Sequence, residues 1–89
     1  MKTQASPQLL ERLKKLDVRI HNSFFDKIKI FEENPQEPVL NNHALKQEYE
    51  GYRSIDITND YRALYEEVPS GSKTIAYFSL LGTHEELYG

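Results

Sequence analysis

Thr74-Ile75-Ala76-Tyr77-Phe78-Ser79-Leu80-Leu81-Gly82-Thr83-His84-Glu85-Glu86-Leu87-Tyr88-Gly89 ends the sequence, and its reading decides the fold. Thr74 to Leu81 is an apolar, strand-like run that stops at a glycine. A lone histidine follows at once, and Tyr88 comes one helical turn later. If these last residues coil into a single turn, His84 and Tyr88 share a face. Two further strand candidates precede the run, Tyr52 to Thr58 and Tyr61 to Val68. Asn59-Asp60 separates the first two strands, and Pro69-Ser70-Gly71-Ser72 the next two. Connections this short predict an antiparallel meander.

Upstream of the strands the apolar period is helical. Ser6-Pro7 reads as an N-cap and first helical position. Leu9, Leu10, Leu13 and Leu16 then recur at helical spacing, with Glu11, Arg12, Lys14 and Lys15 outside. Asp17 caps a second helix whose stripe is Ile20, Phe24, Ile28 and Phe31. It must stop before Pro35, because the residue ahead of a proline is pushed out of the α region. The two helices are expected to form an antiparallel hairpin. Glu33 to Leu45 reads as a linker, with turn chemistry at Asn34-Pro35, Glu37-Pro38 and Asn41-Asn42. Lys2 to Ser6 reads as a short edge strand. The expected fold class is α+β: a two-helix hairpin packed on a small antiparallel β-sheet. The face without helices is the expected place for a site.

Bulk properties narrow the function classes. Eighty-nine residues make one small domain, 1–89, with one core. No run of about 18 apolar residues is present, so no membrane partner is expected. Met1-Lys2-Thr3-Gln4 lacks the apolar segment of a signal peptide. The absence of cysteine removes disulfides, thiolate metal sites and a cysteine nucleophile, and fits a cytoplasmic location. The net charge is −3 but uneven, at +4 over residues 1–31 and −7 over residues 32–89. Such asymmetry suits a basic surface that meets RNA, with Lys14 and Lys15 prominent, and equally suits ordinary helix decoration.

The chemistry-bearing residues fit metal-independent RNA cleavage by the RNA's own 2′-hydroxyl. That reaction needs a group to accept the hydroxyl proton, another to protonate the leaving 5′-oxygen, and positive charge against the crowded phosphorane. Histidine is the side chain whose ordinary titration falls near neutrality, which makes His84 the first candidate. His43 is the second, and its alternative is to cap a turn. Arg62, Arg53 and Lys46 are candidate cations, although either arginine can instead pair with Asp56 or Glu66. Asp60 is a candidate base or orienting group, and also a favoured turn residue. Tyr61 and Tyr88 offer stacking surfaces, worth roughly 1–3 kcal/mol per base where used. Tyr49, Tyr52, Tyr65 and Tyr77 read as core or half-buried residues. His21, His43 and His84 have no ligand-pair spacing, so no metal and no cofactor is expected.

Four blocks then carry a resemblance. They are Asn41-Asn42-His43-Ala44-Leu45-Lys46, Glu50-Gly51-Tyr52-Arg53-Ser54, Asn59-Asp60-Tyr61-Arg62-Ala63-Leu64-Tyr65, and Gly82-Thr83-His84 with Leu87-Tyr88. In order and spacing this set resembles the YafQ branch of the RelE/ParE toxin superfamily, from about Leu40 to Gly89. The resemblance implies a RelE-like β-α-α-β-β-β fold and the toxin of a type II toxin-antitoxin module. It implies a ribosome-dependent mRNA endoribonuclease, with a cognate antitoxin, the ribosome and mRNA as partners. His84 corresponds to the proposed proton donor of such enzymes, Tyr88 to their C-terminal aromatic, and His43 to the histidine of their Asp-His-Pro-Leu segment. Asp60-Tyr61 matches their Asp-Trp pair. Arg62 departs from YafQ but matches an arginine of RelE. Asp56 stands where YafQ has another functional histidine. The rival expectations are a non-catalytic ParE-like toxin that binds a protein such as DNA gyrase, and a degenerate toxin kept as an antitoxin partner.

Overall fold

The computed structural model describes residues 1–89. In chain order the elements are β1 (Thr3–Ala5), α1 (Pro7–Lys14), α2 (Val18–Glu33), β2 (His43–Ala44), β3 (Arg53–Asp56), β4 (Tyr61–Ser70), β5 (Lys73–Thr83) and α3 (His84–Tyr88). Single 3-10 turns at Pro38–Leu40 and Gln47–Tyr49 flank β2. No helix is long and apolar enough to cross a membrane.

The helix boundaries follow from the capping residues. Ser6 Oγ accepts the amide of Leu9 at 3.0 Å, with Pro7 following at the first helical position. Asp17 Oδ1 accepts the amide of Arg19 at 2.7 Å and starts α2. That contact, and then the Arg19 side chain, hold the Asp17 carboxyl below its ordinary value. Leu9 and Leu13 of α1 are buried, as are Phe24 and Phe31 of α2. Leu10 stands at the rim, 38% exposed, outside the buried stripe.

The five-stranded sheet has the order β1-β5-β4-β3-β2. It is mixed, because β1 runs parallel to β5 while the other pairs are antiparallel. The expectation of an antiparallel sheet thus holds for the meander and is corrected at its edge. The helix pair between β1 and the meander carries the chain across the sheet, which allows β1 to lie parallel beside β5. The expected linker also folds further than turn chemistry implied. Its Leu40 is fully buried, and His43–Ala44 add the fifth strand against β3.

Directly paired residues point to one face of a sheet. Ile55, Ala63, Tyr65, Ala76, Phe78 and Leu81 form the face covered by the helices. Phe31 packs edge-on against Tyr65 at 5.0 Å and against Phe78 at 5.4 Å. Phe78 and Leu81 are an odd number of residues apart, so strict alternation would split them between faces. A bulge at Ser79 restores the parity: Leu64 pairs with Leu80, but Tyr65 pairs with Phe78. The opposite face carries the rows Asp56-Arg62-Gly82 and His43-Ser54-Leu64-Leu80. Leu64 and Ser54 are fully buried there, so this face is partly closed. The site lies at its margin.

Candidate active site

The site is assembled by the last helical turn. Thr83 and Glu86 form a reciprocal capping box: Thr83 Oγ1 accepts the Glu86 amide at 3.1 Å, and Glu86 Oε1 accepts the Thr83 amide at 2.8 Å. The same carboxylate receives Arg12 Nη2 at 2.6 and 2.7 Å. Arg12 reaches it because β1 ends opposite Phe78, leaving the later residues of β5 beside α1. The Thr83 amide first, and then Arg12, hold the Glu86 carboxyl below its ordinary value. Two more bonds fix α3. Tyr49 Oη donates to the Leu87 carbonyl at 2.8 Å, and the His84 amide donates to the Asp60 carbonyl at 3.0 Å. Gly82 permits the fold-back, because a Cβ there would lie 3.3 Å from Glu86 Oε1 and Leu87 Cγ.

His84 and Tyr88 therefore share a face. Their ring centroids are 4.8 Å apart at 63°, with His84 exposed and Tyr88 half-buried. Tyr88 also meets Tyr49 edge-on at 5.7 Å. Its hydroxyl is buried and has no hydrogen-bond partner. Asp60 sits in the β3–β4 turn, whose amides at Asp60 and Tyr61 donate to Thr58 Oγ1. Its main-chain carbonyl holds His84, and its side chain is exposed.

Arg62 lies on the face that bears Gly82, two residues before His84. Its Nε is 3.0 Å from Asp56 Oδ1, and its Nη1 donates to the carbonyls of Thr58 and Tyr61. The pairing with Asp56 that the sequence offered as an alternative is thus present, and Nη2 is left without a partner in the chain. Asp56 Oδ1 lies close to Arg62 but out of line for a hydrogen bond, a contact governed by charge. Lys46 precedes the Gln47–Tyr49 turn and lines a groove with Tyr49, Leu87 and Tyr88.

The remaining candidates are elsewhere. His43 is exposed on the edge strand, its Nδ1 2.8 Å from the Asn41 carbonyl. It lies three strands from β5, about 14 Å at the usual strand spacing, so the structure does not bring it to His84. Arg53 is paired with Tyr65, on the helix side, where Nε donates to Asn42 Oδ1 at 2.8 Å. Asn42 in turn donates to Tyr65 Oη and to the Pro35 carbonyl. Tyr61 packs against the core beneath the site. Lys14, at the end of α1, and Lys15, its C-cap, are exposed, and α1 also bears Arg12. No three His, Asp or Glu side chains gather in a metal-like cluster.

The part that Arg12, Tyr49 and Glu86 play in holding α3 escaped the sequence reading, which placed Arg12 on the outer helix face and Tyr49 as core or half-buried. Thr83-x-x-Glu86 is a capping-box signature that announces α3. Neither Arg12 nor Tyr49 carries a local signal, since their partners lie 74 and 38 residues away.

No protein-family model matches the chain, and no curated protein matches it significantly. Solved structures do. A YoeB/ParE toxin from Agrobacterium tumefaciens superposes with a TM-score of 0.71 at 24% identity, covering 94% of this chain and 99% of that one. YafQ from E. coli strain BL21(DE3) gives 0.69 at 21%, covering 99% and 98%. The YoeB-YefM complex from Staphylococcus aureus gives 0.71 at 19%, covering 94% and 97%. The chain therefore has the RelE-like fold of these toxins over nearly its whole length.

Proposed function

We propose that the chain is the toxin of a type II toxin-antitoxin module, a YafQ-like member of the RelE/ParE superfamily that cuts mRNA on the ribosome without a metal ion. The observation that carries this reading is the His84–Tyr88 pair, held face to edge at the end of β5 by bonds that do not use either ring. An exposed imidazole beside an aromatic ring suits a leaving oxygen next to a stacked base.

In this mechanism the 2′-oxygen attacks the adjacent phosphorus, and the bond from phosphorus to the 5′-oxygen breaks. His84 gives its proton to that 5′-oxygen. The 2′-hydroxyl proton passes to the Asp60 carboxylate, which is nearer than His43 because the Asp60 carbonyl anchors His84. Arg62 offers Nη2 to the phosphorane while Asp56 and two carbonyls fix the rest of its guanidinium. Tyr88 places the base. Lys46, Lys14 and Lys15 supply positive charge toward RNA. The products are a 2′,3′-cyclic phosphate and a free 5′-hydroxyl.

A cognate antitoxin is part of the reading, supported by relatives solved as complexes, DinJ-YafQ and YoeB-YefM. The test is controlled expression without an antitoxin, followed by leucine and thymidine incorporation and by chemical analysis of mRNA ends. Translation should fall first, with cyclic or 3′-phosphate ends. An earlier fall in DNA synthesis with intact mRNA would favour a ParE-like binder, and 3′-hydroxyl ends would sink this chemistry.

A further inference from the structure

One backbone position lacks a local explanation. Asn41 and Gln47 are the non-glycine residues at positive φ, 48° and 58°. Asparagine enters the left-handed region readily, and Asn41 closes the Pro38–Leu40 turn. Glutamine has no such preference, and glycine would occupy position 47 with less strain. Strained residues of this kind gather at functional sites, where the side chain they present is used.

Gln47 lines a groove of about 360 Å³ with Lys46, Glu48, Tyr49, Leu87 and Tyr88. Tyr88 is shared between this groove and His84, since its ring meets both Tyr49 and the imidazole. Tyr49 is fixed by its hydroxyl on the Leu87 carbonyl, so this wall is built before any ligand arrives. A nucleobase needs an apolar wall for its plane and paired donors and acceptors for its edge. Tyr49, Leu87 and Tyr88 supply the apolar part of the wall. The Gln47 carboxamide, which both donates and accepts, serves the edge. Lys46 supplies a cation for the adjoining phosphate.

We propose that this groove is a base-recognition subsite, in which Gln47 reads the edge of the nucleobase flanking the cleaved phosphodiester. The proposal rests on the reading that the chain cleaves RNA, and it names the residue that selects where.

Two measurements test it. In the first, His84→Ala protein is titrated with RNA dinucleotides differing in one base while the Gln47 carboxamide and Tyr49 ring signals are followed by NMR. Those signals should shift, with affinities differing about fivefold or more between bases, as expected of a hydrogen-bonded edge. Gln47→Gly, which relaxes the backbone and so should fold, should level the affinities. In the second, parent and Gln47→Gly chains cut ribosome-bound mRNA randomised at the flanking base. The variant should lose the parent's base preference, and Gln47→Asn, which keeps a carboxamide, should show a changed preference. Silent Gln47 signals, or a base preference unchanged in Gln47→Gly, overturn the subsite. Dinucleotide binding through Gln47 in the His84→Ala protein, with mRNA left intact by the parent, overturns the cleavage reading and leaves the subsite standing.

Discussion

Replacing His84 by alanine separates chemistry from stability, because of where the ring sits. Its backbone amide holds the Asp60 carbonyl, and alanine keeps that bond. The ring is exposed and makes one aromatic contact, edge-on to Tyr88 at 4.8 Å. Such contacts are worth about 0.5–1.5 kcal/mol. A domain whose stability is at least about 5 kcal/mol would keep about 3.5 kcal/mol after the largest such loss, and stay more than about 99% folded. A general acid contributes roughly 10²–10⁴-fold in rate. Cleavage should therefore fall by roughly a hundredfold or more in a chain that is still folded. The assay is the rate of cutting of ribosome-bound mRNA, with thermal melting and antitoxin pull-down as controls. A His84→Ala chain that cuts within about threefold of the parent, well below what an acid contributes, removes His84 from the mechanism. The reading would then move toward Arg62 chemistry or toward a non-catalytic binder.

The other expectations probe the parts around His84. Tyr88→Phe should keep cleavage and lose no stability, since the hydroxyl it removes is buried without a partner; Tyr88→Ala should impair cleavage, and equal rates for the two variants would exclude a placing role for the ring. The Glu86 carboxyl has a folded value below its ordinary 4.5, so its contribution is present above that pH and lost as pH falls through the lower folded value. Protection of the α3 amides, taken relative to the intrinsic exchange rate at each pH, should accordingly fall on acidification below about pH 4.5, and Glu86→Gln should flatten the response; a Glu86→Gln profile like the parent's would assign it to another group. Reversing Lys14 and Lys15 to glutamate should weaken ribosome co-sedimentation in a salt-dependent way with the fold intact, and unchanged co-sedimentation would make these lysines decoration.

Much of this architecture is legible because it is written locally. Ser6-Pro7, Asp17 and Pro35 bound the helices, and alternation with short turns yields the meander. What escapes is decided by distance or by parity. The pairing of Thr3 with Ala76 joins distant parts of the chain and rests on a strand of three residues. β2 is only His43–Ala44, embedded in turn-forming asparagines, and becomes a strand because β3 offers an edge. The bulge at Ser79 is invisible to a period-two reading, yet it decides which later residues of β5 face the helices. Arg53 and Arg62 look alike in sequence. Register alone sends Arg53 to the helix side, where Asn42 holds it, and Arg62 to the face of Gly82.

The residues that hold the fold and those of the candidate site are largely separate sets. Residues that hold the domain together lie on the helix face, in the Phe24, Phe31, Tyr65 and Phe78 cluster. The candidate chemistry lies past the end of β5, on a turn tied down by the Thr83–Glu86 box, Arg12 and Tyr49. Those ties position the rings of His84 and Tyr88 without drawing on either. A substitution at the rings thus changes what the turn can do and leaves how it is held. Fold likeness at 19–24% identity to toxins from three bacteria reports on the first set of residues. It is silent on the second, because function resides in the site and not in the scaffold. For this chain the weight of the functional reading therefore falls on the rings of His84 and Tyr88 and on Arg62, whose guanidinium also ties the β3–β4 turn and leaves Nη2 free.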